Sequence, residues 1–134
     1  MVNEVLLKLV LAVILGGLIG YERERRHRPA GFRTIMLVCL GSTLVSLISL
    51  QYGKDNTQML AAIITGIGFL GAGAIMNSAE TVSGLTTAAS IWLIACAGIG
   101  IGLGFYLESI LFVLVCYLIL EFGGYFAKKI KLKP

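Results

Sequence analysis

Between Leu85 and Phe126 the chain runs for 42 residues with two charges, Glu108 and Glu121. As a single helix that stretch would be about 63 Å long, twice the ~30 Å hydrocarbon core of a bilayer. It must therefore fold back once inside a membrane. The glycine run Gly98, Gly100, Gly102, Gly104 is the place for the reversal. Two further apolar runs, Leu6–Tyr21 and Thr34–Tyr52, flank a basic segment holding Arg23, Arg25, Arg26, Arg28 and Arg33. Hydrophobic residues make up 57% of the 134 positions and charged residues 13%, about half the ~25% of soluble domains. The expected fold is all-α: one polytopic membrane bundle over residues 1–134, with no room for a second folded unit.

Apolar length and turn signals place five transmembrane helices at about residues 5–21, 34–52, 59–76, 85–101 and 105–126. Pro29-Ala30-Gly31 breaks the chain before the second helix. Asp55 with Gln58 reads as a capping box before the third, and Ser83 as the N-cap of the fourth. Asn77–Gly84 reads as a loop. Charge then sets the threading, because loops rich in Lys and Arg stay in the cytoplasm. With five crossings and the N-terminus outside, one side receives the five arginines plus Lys128, Lys129, Lys131 and Lys133, nine of eleven basic residues. Four crossings would part the lysines from the arginines. A cleavable leader begins basic and ends small; here Glu4 and Lys8 come first and the arginines last.

The net charge of +4 reads as topology and contact with anionic headgroups, since no nucleic-acid recognition motif accompanies it. Cys39, Cys96 and Cys116 are odd in number, far apart and each inside an apolar run, which argues against zinc and against a disulfide framework. His27 stands alone among arginines. With few acidic residues, no partner for the single histidine and no P-loop, the chain is not expected to be an enzyme or to hold a metal or other cofactor.

Gly66-Ile67-Gly68-Phe69-Leu70-Gly71 fits G-x-G-x-x-G, but the dinucleotide fingerprint needs a strand before it and an acidic residue about 20 positions after it. Inside an apolar helix the glycines serve close backbone approach instead. Gly16–Gly20 and Gly98–Gly102 have small-x-x-x-small spacing, as do Ala62–Gly66 and Gly68–Ala72. Gly16, Gly20, Gly66, Gly68, Gly71, Gly73, Gly98 and Gly102 are thus the expected packing positions, with a broken helix around Gly66–Gly73 as the alternative. Ser42, Thr43, Ser46 and Ser49, then Thr86, Thr87 and Ser90, read as hydroxyls bonded to the preceding turn or a neighbouring helix. Charges at membrane depth demand partners, and Glu22 and Arg33, at facing ends of the first two helices, are expected to pair.

These residues together resemble the membrane domain of the MgtC/SapB family. The likeness is carried by Gly16-Gly17-Leu18-Ile19-Gly20-Tyr21-Glu22-Arg23-Glu24, by Pro29-Ala30-Gly31-Phe32-Arg33-Thr34, by Gly66-Ile67-Gly68-Phe69-Leu70-Gly71-Ala72-Gly73 and by Gly84-Leu85-Thr86-Thr87-Ala88-Ala89-Ser90-Ile91-Trp92. It covers roughly Leu6 to Tyr106. The resemblance implies a multi-pass protein of the bacterial inner membrane, associated with adaptation to low magnesium, survival inside host cells and restraint of the F-type ATP synthase. It also implies functional positions at Glu22, Arg33, Thr34 and Thr86. Longer members carry a soluble C-terminal domain resembling ACT modules, whereas this sequence stops at Lys133-Pro134; regulation seated in that domain is expected to be absent or supplied by another protein.

The reading that results is a non-enzymatic regulatory membrane protein acting through helix–helix contacts, with the bilayer and either a second copy or a membrane ATPase subunit as partner. The alternative is a small transporter or channel for Mg²⁺ or another ion. Mg²⁺ takes one or two carboxylates, and none is expected at the midplane of any helix.

Overall fold

In lipid every backbone polar group must be satisfied within the protein, and this chain does so almost wholly with helices. The computed structural model describes residues 2–55, 57–77 and 81–131, with the side chains of 53–55, 76, 77, 127, 128, 130 and 131 outside that description. Among the described residues there are five α-helices: α1 (Val2–Arg25), α2 (Phe32–Ser49), α3 (Thr57–Gly73), α4 (Leu85–Leu103) and α5 (Tyr106–Lys131). A 3-10 turn, Leu50–Asp55, follows α2. Two-residue strands β1 (Met76–Asn77) and β2 (Val82–Ser83) pair antiparallel before α4, Met76 opposite Ser83. Four helices are long and apolar enough to cross a membrane, and α3 is a shorter apolar helix of 17 residues, about 26 Å in length.

Relative packing shows that the short helix must also traverse the bundle. A methyl group added at Gly16 would stand 3.0 Å from the Met36 Cα, and one at Gly20 2.8 Å from the Phe32 Cα, so α1 and α2 are antiparallel. Gly98 abuts Cys39 and Ser42, and Gly102 abuts Thr43 and Ser46, so α2 and α4 run parallel. The chain between them must return from the end of α2 to the start of α4, and α3 makes that return. The strongly packed pairs are α1 with α2 and α2 with α4. Glycine at the contacts lets the backbones close up where lipid offers no hydrophobic drive.

Several expected boundaries move. α1 continues past Tyr21 to Arg25, which puts Arg23 and Arg25 on the helix. It closes with His27 at φ 53°: the His27 N–H bonds the Glu24 carbonyl and the Arg28 N–H the Arg23 carbonyl. That is a Schellman ending with histidine in the usual glycine position. Glu24 Oε2 accepts from the Phe32 N–H at 2.9 Å, so α1 supplies the cap for α2, whose own N-cap is Gly31. Ser83 is not the N-cap of α4. It belongs to β2, and Gly84 at φ 86° holds the cap position; a side chain there would strike the Ala74 carbonyl. Of the residues expected as a loop, Asn77, Val82 and Ser83 belong to the short ribbon instead. The Asp55 side chain and Glu80 lie outside the described residues. The predicted reversal occurs at Gly104, where the Gly104 N–H bonds the Ile101 carbonyl and the Phe105 N–H the Gly100 carbonyl.

The interior is thin. Ala12, Leu15, Ile19, Ile35, Cys39, Ile91, Ile94, Ile101 and Val113 are buried, while Ile14, Leu37, Leu44, Leu111 and Leu118 are exposed, as a lipid-facing belt requires. Tyr21 and Tyr125 sit toward one end of the bundle, Tyr52 and Tyr106 toward the other, the positions of aromatic belts at the two interfaces. The helix hydroxyls bond mainly to the preceding turn, as Ser46 does to the Ser42 carbonyl (2.8 Å) and Ser90 to the Thr86 carbonyl (2.7 Å). Thr43 also reaches across to the Gly98 carbonyl at 3.0 Å.

Candidate functional site

The buried face of α1 passes through Lys8, Ala12, Leu15, Ile19, Glu22 and, partly exposed, Arg26, spaced alternately four and three residues apart. That stripe carries two kinds of charge into the bundle, one at each end. At the end of α1, Glu22 is fully buried and Arg23 is 2% exposed. Arg26 Nε lies 2.6 Å from Glu22 Oε1, and Arg23 Nη1 3.6 Å from Glu22 Oε2. Arg23 Nη2 donates to Thr87 Oγ1 at 3.0 Å, tying α1 to the first turn of α4. Arg25 and Arg26 both meet Glu121 of α5, at 2.5 and 3.3 Å, and Arg26 Nη2 donates to the Glu121 carbonyl at 2.8 Å. Three helices are thus joined through one charge cluster.

Glu22, Arg23, Arg26, Arg28 and Thr86, with Ile119, Leu120, Gly123 and Gly124 of α5, line a cleft of about 310 Å³. The cluster does not satisfy itself. Both Glu22 oxygens and the Nε atoms of Arg23 and Arg26 are buried without an aligned hydrogen-bond partner among the described residues. Such groups are costly at low dielectric. Arg28, which lines the same cleft, makes no ion pair among the described residues.

The expected partner of Glu22 is corrected. Glu22 meets Arg23 and Arg26 instead of Arg33. Arg33 and Thr34 are exposed on the first turn of α2, turned outward because Phe32 and Ile35 take the contacts with α1. Glu22 and Thr86 come together in the cleft; Arg33 and Thr34 lie outside it. Sequence reasoning missed Arg23, Arg26, Arg28, Thr87 and Glu121 as members of the site. The Glu22–Arg26 spacing of four was the available signal.

At the opposite end Lys8, 4% exposed, donates to the Gly102 carbonyl at 3.0 Å and pairs with Glu4 at 3.2 Å. Its ammonium also stands 5.9 Å from the Tyr106 ring centre. A cation on the last free carbonyls of α4 complements that helix's negative end. Among the glycines expected at contacts, Gly16, Gly20, Gly98 and Gly102 touch neighbouring helices, and Gly71 lies 3.5 Å (from an added methyl) from the Ala88 carbonyl. Gly66, Gly68 and Gly73 meet nothing within 4 Å among the described residues. Among the described residues, no three His, Cys, Asp or Glu side chains gather as a metal site.

The family model described as the MgtC family matches residues 9–129. The chain belongs to the MgtC family. Three curated relatives of this MgtC-family chain illustrate the match. Protein MgtC of Salmonella typhimurium (strain LT2) is 47% identical over 74% of this chain and 43% of its own length. Protein SapB of Bacillus subtilis (strain 168) is 35% identical over 95% and 60%. YhiD of Escherichia coli (strain K12), named as a candidate magnesium transporter, is 38% identical over 90% and 61%. The chain therefore spans about half of the length of the curated relatives it matches. No solved structure matches it.

Proposed function

We propose that this membrane protein of the MgtC family is a non-enzymatic regulator in the bacterial inner membrane. It acts in magnesium homeostasis, or on a membrane ATPase, through contacts between helices. The observation that carries this reading is the free face of α3. Gly66, Phe69 and Gly73 share one side of α3; both glycines are open to space among the described residues, Phe69 is 85% exposed, and Gly71 alone among the described residues of α3 is buried. Gly16, Gly20, Gly98 and Gly102 already have helix neighbours, whereas Gly41 of α2 and Gly123 of α5 are single open glycines. A glycine face left open in lipid suits a second helix, from another copy or from an ATP synthase subunit as the family resemblance implies. The arginine end faces the cytoplasm by the positive-inside rule, with the N-terminus outside and the C-terminus inside.

Photo-crosslinking tests this. A photoreactive residue at Phe69 in native membranes should give a protein adduct of discrete mass that a residue at Leu118 does not. Lipid adducts alone at both positions would remove the proposal. The competing reading is ion transport, favoured by the name of the Escherichia coli relative and by the buried carboxylate of Glu22. That carboxylate lies against two guanidiniums, which oppose a divalent cation. Mg²⁺ flux into liposomes above background, lost in Glu22→Gln, would reverse the ranking.

A further inference from the structure

The cleft at the arginine end is positively charged and does not stop at its polar rim. Its lining holds three guanidiniums, of Arg23, Arg26 and Arg28, against one carboxylate, of Glu22. Two positive charges are left over. Including the neighbouring pair of Arg25 and Glu121 adds one charge of each sign and changes nothing. Glu22 is held away from a ligand by its contacts with Arg26 and Arg23. The Arg23 Nε–H, in a side chain all but buried, has no acceptor among the described residues. Arg28 is exposed and without an ion pair among the described residues. Gly123 and Gly124 leave room beside them: a methyl at Gly123 would meet nothing within 4 Å.

Thr86, Ile119 and Leu120 line this cleft and also a second cavity of about 380 Å³ between α4 and α5. That second cavity is apolar, bounded further by Leu85, Ala89 and Leu93 of α4 and Cys116 of α5. From Leu85 to Leu93 it descends roughly 12 Å along the helix, most of the depth of one leaflet. A cationic mouth at the interface opening into an apolar slot of leaflet depth is the outline of an anionic phospholipid. Arginine recognises phosphate oxygens in a fork geometry, and basic pockets between helices on the cytoplasmic side hold anionic headgroups.

We propose that the cleft and the α4–α5 groove together hold one anionic phospholipid, its phosphate on Arg23, Arg26 and Arg28 and an acyl chain between α4 and α5. Thr86, at the junction, stands where the glycerol ester oxygens lie. This site is separate from the open face of α3, so it stands or falls independently of the partner proposed above.

The test uses the full chain in detergent, mixed in turn with phosphatidylglycerol, phosphatidylcholine and inorganic phosphate, and read by native mass spectrometry. Phosphatidylglycerol should remain bound where phosphatidylcholine is lost, and inorganic phosphate should not displace it. Arg28→Gln, which removes an exposed side chain that has no ion pair among the described residues, should lower retention about fivefold, the weight of one basic side chain near anionic lipid. Its thermal midpoint should not move. Ala89→Phe, which fills the groove and leaves every charge in place, should lower retention as well. Equal retention of the two lipids, or unchanged retention in both variants, overturns the proposal. Displacement by inorganic phosphate with Ala89→Phe still binding would make it a free-anion site and overturn the lipid assignment.

Discussion

Glu22 and Glu24 are two residues apart and differ in what they hold. Glu22 is buried between Arg23 and Arg26; Glu24 is exposed and caps α2 through the Phe32 N–H. Removing one partner of a buried ion cluster leaves the other charges uncompensated, a loss of about 3 kcal/mol. Neutralising a capping carboxylate that still accepts the same hydrogen bond forfeits only its interaction with the helix dipole, about 0.5 kcal/mol. Glu22→Gln should therefore lower the thermal midpoint in detergent several times more than Glu24→Gln; equal shifts would mean that the cluster does not hold the three helices. Part of this site was legible. A carboxylate on the stripe of Ala12, Leu15 and Ile19 must be buried, and its salt partner four residues on follows from helix geometry. Thr87 and Glu121 were not legible, because which side chains of α4 and α5 reach α1 depends on crossing angles that spacing in one helix does not encode. Arg33 misled because the chain turns through Pro29-Ala30-Gly31 in a way that aims Phe32, and not Arg33, at α1.

Glycines of equal standing in sequence separate once helices are packed. A methyl at Gly98 would stand 2.5 Å from the Cys39 carbonyl oxygen and 2.9 Å from the Ser42 Cβ, both on α2. The backbone of α2 cannot yield there as a flexible side chain would. Gly98→Ala should destabilise the protein by about 1–3 kcal/mol, the range for overpacking. Gly66→Ala meets open space and should stabilise the helix by up to about 1 kcal/mol. Thermal unfolding of the two variants in the same detergent should move in opposite directions; a shared sign would contradict the assignment of α2 and α4 as close-packed neighbours. Sequence spacing found the helices and the reversal at Gly104, because apolar length and glycine runs are local signals. It did not separate Gly98 from Gly66, since small-x-x-x-small spacing marks a face without saying what lies opposite. The strand pair before α4 also escaped notice, as two residues a side leave no periodicity to read.

The bundle as a whole is bracketed by buried charge. Lys8 closes one end against the Gly102 carbonyl, and the Glu22 cluster closes the other against Thr87 and Glu121. These contacts fix α1 antiparallel to α4 and parallel to α5, so the arginine segment and the distal part of α5 share one end and Val2 lies at the other. The odd number of crossings thus rests on two independent arguments: positive charge gathered on one side, and α2 parallel to α4 with α3 returning between them. Cysteine labelling with an impermeant maleimide, in a variant lacking Cys39, Cys96 and Cys116, reads the same property in cells. His27→Cys and Lys129→Cys, both at exposed positions, should be shielded in intact spheroplasts and react only after lysis. Val2→Cys should react before lysis. Labelling of Lys129→Cys on the side opposite to His27→Cys would require an even number of crossings. That is incompatible with Arg25 and Arg26 lying against Glu121, and it would dismantle the lipid cleft along with the topology, because the cleft exists only where the ends of α1 and α5 and the start of α4 meet on one face of the membrane.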